Sequence, residues 1–372
     1  MTKKENLLKV LRCEEPEWVP FALGFKHWFD YHQHTNSLPD DLKKIENCDY
    51  IDAMKFLGCD ILARNFYCGQ DEIFNKIKHN VITNKKDIGI QTINEYETPF
   101  GSLSESRQEI EHMLVSHEEN FIIKEWEKDR DAAMYILDNT DFTWREEVFL
   151  ELQDKIGDDG ICMIPCWGTP LKWLHWKCGL QNSCFFFMDY MDQVKEYCDL
   201  FWEKSSQVLR KMAEHPEVKV MILMDNVDAP FYGGFLADEL WTPYVKNAMD
   251  ICREHGKFLF VHACGQLANL KDAIAESKVT GLEGVSHGPI GDLPIEEAKK
   301  IHPEFIFNGG FSNREQLDLS DDEVKAFYTD YLNRTGKDRT IIASSCSTIA
   351  ETKWERMKLV RDIVREWGGW PK

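Results

Sequence analysis

Residues 258–266 read FLFVHACGQ, an apolar run that ends in a histidine and a cysteine two positions apart. In an extended strand the side chains at i and i+2 leave the same face, so His262 and Cys264 would stand side by side, as two ligands of one metal do. The competing reading makes His262 a hydrogen-bonded core histidine and Cys264 a small buried hydrophobe, the commoner fate of a cysteine. A third candidate lies far downstream in SSCSTIAETKWERM, where Cys346 closes another apolar run. Zinc is commonly held by thiolates and imidazole, and a catalytic site keeps three protein ligands and one exchangeable position. His262, Cys264 and Cys346 supply that count, although Cys346 taken alone is as readily a buried thiol.

Such a set works only in a fold that brings remote strand ends together. Candidate strands are WVPFALGF (18–25), DILAR (60–64), GICMIPCW (160–167), VKVMILMD (218–225), KFLFVHAC (257–264), GLEGVSH (281–287), FIFNGG (305–310) and TIIASSC (340–346). Most are continuously apolar, as parallel strands covered on both faces should be. Between them, DELWTPYVKNAMDICREHGK (238–257) has helical apolar spacing and stops at Gly256. SDDEVKAFYTDYLNRTGK (320–337) begins with Ser320 and acidic residues and stops at Gly336. Eight strands with intervening helices predict an α/β fold, a (β/α)8 TIM barrel, whose chemistry sits at the C-terminal ends of the strands. His262 and Cys264 would close the fifth strand and Cys346 the eighth. An open doubly wound sheet is the alternative, but no glycine-rich fingerprint follows the first strand.

Residues from about 65 to 150 are too many for a simple crossover between the second and third strands. Within them DIGIQTINEYETPFGSLSESRQ, with Pro99 and Gly101 at its centre, predicts a hairpin or small antiparallel insertion that caps the barrel mouth. No repeat, low-complexity tract or linker divides the chain, which predicts one domain over residues 1–372.

Composition narrows the partners. A net charge of −20 on 372 residues argues against nucleic acid, whose phosphates need lysine and arginine to displace counterions. The first residues, MTKKENLLKVLRCEEPEWVPF, are charged where a signal peptide needs its apolar stretch, and no later segment has the length of a membrane span. The expected place is the cytoplasm. There the twelve cysteines should be thiols, so a clustered pair points to metal or catalysis rather than a disulfide.

With these residues in place, the chain resembles the uroporphyrinogen decarboxylase superfamily of barrels, and within it the zinc-dependent methyltransferase branch. The likeness spans nearly the whole chain. It is carried by KKENLLKVLRCEEPEWVPF, by MDNVDAPFYGGFLADELWTPYVKNAMDICREHGKFLFVHACGQ, by NGGFSN and by the block around Cys346. The branch's H-x-C and distant cysteine fall on His262, Cys264 and Cys346, so the resemblance implies a zinc site there. The decarboxylase itself is a poorer match, because its arginine-bearing segment should follow VPF, where this chain has ALGFKHWFDYHQHTN. The resemblance places Asp225 in the substrate pocket, with a turn or capping role as the competing reading. It also implies a displaceable acidic fourth zinc ligand. Glu283 is the candidate, with an orienting role toward His262 as its alternative and His287 as its competitor.

Other residues are weighed on their own. His27, His32 and His34 share no single face of a regular element and predict a pocket-lining loop. Trp167, Trp173 and Trp176 form an aromatic patch that is either core or a wall for an aromatic ligand or corrin. Tyr232 and the glycines of PFYGG follow the fourth strand and predict close approach of a ligand.

The resemblance implies methyl transfer between a small substrate and the cobalt of a corrinoid (cobalamin) carried by a partner protein. Two thiolate ligands favour a bound thiol acceptor, whereas the YETPFGSLSE insertion and the aromatic loops favour a demethylase-type donor such as a methoxylated aromatic. The donor reading leads, with a methylcobamide:thiol methyltransferase as the alternative. A decarboxylase-like enzyme or a non-catalytic zinc scaffold stays open behind them, and so does pairing with a second copy as a homodimer.

Overall fold

The structure, a computed structural model, describes residues 1–62 and 64–370. Its strands are, in chain order, β1 (Phe21–Ala22), β2 (Gln70–Phe74), β3 (Lys78–Lys86), β4 (Gly89–Thr98), β5 (Gly101–Ile110) and β6 (Val115–Asn120). They continue as β7 (Thr140–Trp144), β8 (Met163–Cys166), β9 (Val220–Leu223), β10 (Phe258–His262), β11 (Gly281–Val285), β12 (Ile306–Phe311) and β13 (Thr340–Ser344). Seven of them form one curled parallel sheet in the order β1-β13-β12-β11-β10-β9-β8. Helices cover the connections, which makes this an α/β, TIM-barrel-like arrangement.

Alternation along the strands separates two cores. Ala22, Met163, Val220, Ile222, Phe260, Ile306, Ile341 and Ala343 pack together on the concave face, and Leu7, Val10 and Leu11 join them. The last three belong to the helix Lys3–Leu11, which starts from a Thr2–Glu5 capping box and plugs the bottom of the curled sheet. Leu259, Val261, Leu282, Phe307 and Ile342 point the other way, into the larger core beneath the helices. Because side chains alternate, the concave face continues from Phe260 to His262, from Gly281 to Glu283 and from Ile306 to Asn308. The chemistry-bearing layer is thus the next rung above an apolar floor.

The predicted second strand is reduced to an isolated parallel bridge between Ile61 and Gly160. Ala63, within that predicted run, lies outside the described residues. Backbone and side-chain bonds together hold this stretch in place. Asp60 donates its N–H to the Phe21 carbonyl at 2.9 Å, while its buried carboxylate accepts the Phe21 N–H and the Trp18 indole N–H, each at 3.0 Å. Ile61 donates to the Asp159 carbonyl and accepts from the Ile161 N–H. Residues 60–61 therefore tie the β1 edge to the stretch leading into β8.

The expected hairpin is present. β4 and β5 pair antiparallel with Thr98 opposite Gly101, within a four-stranded sheet β3-β4-β5-β6, and β2 pairs with β7 separately. This sheet leads into residues that pack on the helix Pro170–Asp189, where Ile123 donates to the Lys177 carbonyl at 2.9 Å. At Gly179, with φ +80°, an added Cβ would stand 2.6 Å from the Phe121 ring, so only glycine allows the contact.

The helix predicted over 238–257 is broken at Trp241 into Phe235–Leu240 and Thr242–Glu254, with Pro243 in the first turn of the second piece. The helix Asp321–Thr335 starts from a Ser320–Glu323 capping box, as its sequence predicts. Among the described residues no helix is long and apolar enough to cross a membrane.

Candidate metal centre

The loop after β9 and the loop after β10 are zipped together, and this places Cys264. Val227 donates to the His262 carbonyl at 3.1 Å, Gly265 to the Val227 carbonyl at 3.2 Å and Ala229 to the Gln266 carbonyl at 2.8 Å. The Asp228 carboxylate accepts the Gln266 N–H, and a Cβ on Gly265 would lie 2.3 Å from Asp228 Cγ, so the glycine of HACGQ admits this close crossing. On the other side Ala263 donates to the Glu283 carbonyl at 2.8 Å, which keeps the chain extended through His262 toward Cys264.

Cys346 is set by the loop after β13. Ser345 donates to the Phe311 carbonyl at 2.8 Å, Asn313 Nδ2 donates to the Ser347 carbonyl, and the Thr348 hydroxyl donates to the Gly24 carbonyl. The ligand atoms of His262, Cys264 and Cys346 consequently all lie within 4.8 Å of one another. A tetrahedral zinc with N and S ligands holds its donor atoms roughly 3.3–3.8 Å apart, so this set fits zinc with small adjustments. The Cys346 thiol is pulled well down by the neighbouring Cys264 thiol and then by His262, while Cys264 is pushed up as the partner that keeps its proton. A thiolate is the form that binds metal.

Glu283 lies outside that three-residue cluster, against its histidine. Its Oε2 lies 2.5 Å from His262 Nδ1 and accepts from Arg64 Nε at 2.7 Å. Burial alone would raise its pKa, but Arg64 and then His262 hold it down at about 2. Holding Nδ1 leaves Nε2 of the imidazole free to ligate. Gly284, at φ +89°, makes the arrangement fit: an added Cβ would meet His262 Cε1 at 2.8 Å and the Ser345 carbonyl at 2.9 Å.

Arg64 and Asn308 are the site residues that the sequence reading passed over. Arg64 ends the DILAR run, and a charged residue at a strand's C-terminal end was the available signal. Asn308 pairs in register with Glu283 and is fully buried, with neither amide atom hydrogen-bonded among the described residues.

The remaining expectations fare differently. Asp225 is fully buried and both its oxygens are taken, by the Thr169 N–H at 2.6 Å and the Trp241 indole N–H at 2.8 Å. It anchors the start of the helix Pro170–Asp189 and the break at Trp241, the contacts expected of its capping or turn reading. The Tyr232 hydroxyl donates to the Asp225 carbonyl at 2.5 Å and its ring faces His175, so its hydroxyl is already committed. Trp167 follows β8 and packs edge-on against Phe142 of β7, Trp173 stacks on Phe201 in the core, and Trp176 is exposed. His27, His32 and His34 lie on a helix, Lys26–His34, and not on a loop. His32 bridges Ser37 and the Ala350 carbonyl, and none of the three joins the metal cluster. His287 lies 2.9 Å from Glu315 and packs on Phe327, also apart from the cluster.

Comparison with known proteins follows this geometry. No curated protein sequence matches the chain. Among solved structures, a methyltransferase from Methanosarcina mazei superimposes with a TM-score of 0.62 at 14% identity, over 99% of this chain and 99% of that one. A B12-independent methionine synthase from Shewanella sp. W3-18-1 aligns over 95% of this chain and 94% of its own, at 11% identity and a TM-score of 0.44. The first likeness is one of fold. The family model described as Uroporphyrinogen decarboxylase (URO-D) matches residues 176–367, which is more than half of the chain and includes all three clustered ligands and Glu283. The chain belongs to the uroporphyrinogen decarboxylase (URO-D) family.

Proposed function

We propose that the protein is a zinc-dependent methyltransferase that moves a methyl group between a small substrate, a methoxylated aromatic or similar donor, and the cobalt of a corrinoid borne by a partner protein in the cytoplasm. The observation that carries the reading is the convergence of His262, Cys264 and Cys346 at the C-terminal ends of β10 and β13. The whole chain reads as one (β/α)8 barrel, with the 65–150 insertion as a cap beside its mouth. Bound at the cluster, zinc would supply Lewis acidity toward the heteroatom of the small substrate.

The chain's own residues have separable roles in this reading. His262, Cys264 and Cys346 hold the ion, Glu283 orients His262, and Arg64 keeps Glu283 ionised. Asp225 and Tyr232 position the helix and loop that wall the mouth, while His27 and Trp167 line it.

The paired thiols favour a second reading, a methylcobamide:thiol methyltransferase, since two thiolates offset the ion's charge and leave a bound thiol nucleophilic. One experiment separates the two: zinc-supplemented protein is incubated with methylcobalamin and a panel of thiols, and with reduced cobalamin and a panel of methoxylated aromatics. Demethylation of an aromatic supports the first reading and methylation of a thiol the second. Transfer in neither panel, also with a candidate corrinoid protein added, would leave a zinc-binding scaffold.

A further inference from the structure

We propose that Lys172 is the anchor for an anionic group on the small substrate, so that the protein acts on acids rather than on their neutral analogues. This deepens the methyl-transfer reading by naming a substrate class. Lys172 sits in the first turn of the helix Pro170–Asp189, directly after β8, at the end of the sheet where the metal cluster lies. Its stem crosses the bare face of Gly168, where an added Cβ would stand 2.7 Å from Lys172 Cβ and Cγ and 2.6 Å from Asp225 Oδ1.

The ammonium is half-buried, and among the described residues it has no ion pair and no hydrogen bond. Its nearest aromatic is Trp176, with Nζ 5.3 Å from the ring centroid. The negative charges that act on it are those of Asp225 and Glu118. Asp225 makes no bond to it, its two oxygens accepting instead from the Thr169 N–H and the Trp241 indole N–H. The same applies to the cation across the mouth: Arg64 is bound to Glu283. Lys172 is therefore an uncommitted positive charge at the end of the sheet that carries the cluster, and burial disfavours its charged form unless a counter-charge arrives.

A second group on the same helix also lacks a partner. His175, one turn on, is 5% exposed with neither ring nitrogen hydrogen-bonded. Burial, and then the charge of Lys172, push its pKa down to about 3, so it stays neutral and leaves Lys172 as the positive charge of this turn. A carboxylate or sulfonate within reach of Lys172 would satisfy the ammonium in charge-assisted hydrogen bonds.

The test compares acids with neutral analogues of matched shape. Binding of 4-methoxybenzoate and 4-methoxybenzamide, and of 3-mercaptopropionate and 3-mercaptopropanamide, is measured by calorimetry on zinc-supplemented wild type, Lys172→Gln and Lys172→Arg. The expected result is that wild type binds at least one acid about tenfold or more tightly than its amide. Lys172→Gln should lose that preference and Lys172→Arg should keep part of it, with unchanged circular dichroism in both. The aryl and thiol pairs tell which reactant carries the charge. Equal binding of acid and amide, no binding of either acid, or an undiminished preference in Lys172→Gln would overturn the proposal. Acid binding that depends on Lys172 without any methyl transfer would instead keep this site and remove the methyltransferase reading.

Discussion

Glu283 Oε2 stands 2.5 Å from Nδ1 of His262, and the same oxygen accepts from Arg64 Nε at 2.7 Å. One buried carboxylate thus fixes the orientation of an imidazole clustered with two thiols, and it is itself held ionised by an arginine. A carboxylate in this position acts through histidine, by setting the tautomer and raising the basicity of the ligating nitrogen.

Replacing Glu283 by Gln should therefore weaken zinc binding by about 10- to 100-fold. A fourth ligand that leaves when substrate arrives would give a much smaller effect. Competition against a chromophoric chelator measures it, and affinity within about twofold of wild type would return Glu283 to the displaceable role.

Gly284→Ala tests the same arrangement from the backbone. At φ +89° alanine is strained by about 1–3 kcal/mol, and its Cβ would press on His262 Cε1 at 2.8 Å. Denaturant melts should show a loss of that order together with weaker zinc binding. Unchanged zinc affinity would mean that the histidine has room to move.

These relationships mark where the sequence was readable and where it was not. Apolar runs located the strands of the parallel sheet, and the i, i+2 spacing located His262 and Cys264, because both signals are local. The second strand shrinks to a bridge since its described backbone ties come from residues 60 and 61, with the Asp60 carboxylate adding two bonds of its own. Asp225 looked like a pocket residue because nothing within MDN announces that Trp241, beyond the next turn, takes one of its oxygens. Lys172 and Arg64 are single charged residues at the edges of apolar runs, and their importance comes from what lies across the mouth. Gly284 is one glycine among many until the ring beside it is known.

Asp60 gives a pH dependence of stability. Burial first, against the Trp18 and Phe21 hydrogen bonds, raises its pKa from 3.8 to about 7. Between these values the folded state holds a proton that the unfolded state has released. Stability from this group is therefore greatest near pH 4, falls as pH rises toward 7 and is level above. Asp60→Asn cannot titrate, and it loses one acceptor, so it should be less stable than wild type by about 1–3 kcal/mol or more. The gap should be wider at pH 5 than at pH 8 in urea melts. A gap that stays level from pH 5 to pH 8 would show that Asp60 is ionised throughout.

Cys346→Ala removes one donor from a three-residue set whose other two members cannot complete a tetrahedral site. Tight zinc binding should be lost, and with it methyl transfer. The fold should survive, because the concave apolar floor and the helix Lys3–Leu11 pack below the cluster without using any of its residues. Far-ultraviolet circular dichroism should match wild type, and chelator-treated wild type should behave as the variant does until zinc is restored, whereas the variant should not respond. The control is Cys198→Ala, a fully buried thiol outside the cluster, which costs packing but should leave zinc content unchanged. Elemental analysis that finds stoichiometric zinc in Cys346→Ala would dissolve the link between FLFVHACGQ and the end of β13, and the functional reading built on it.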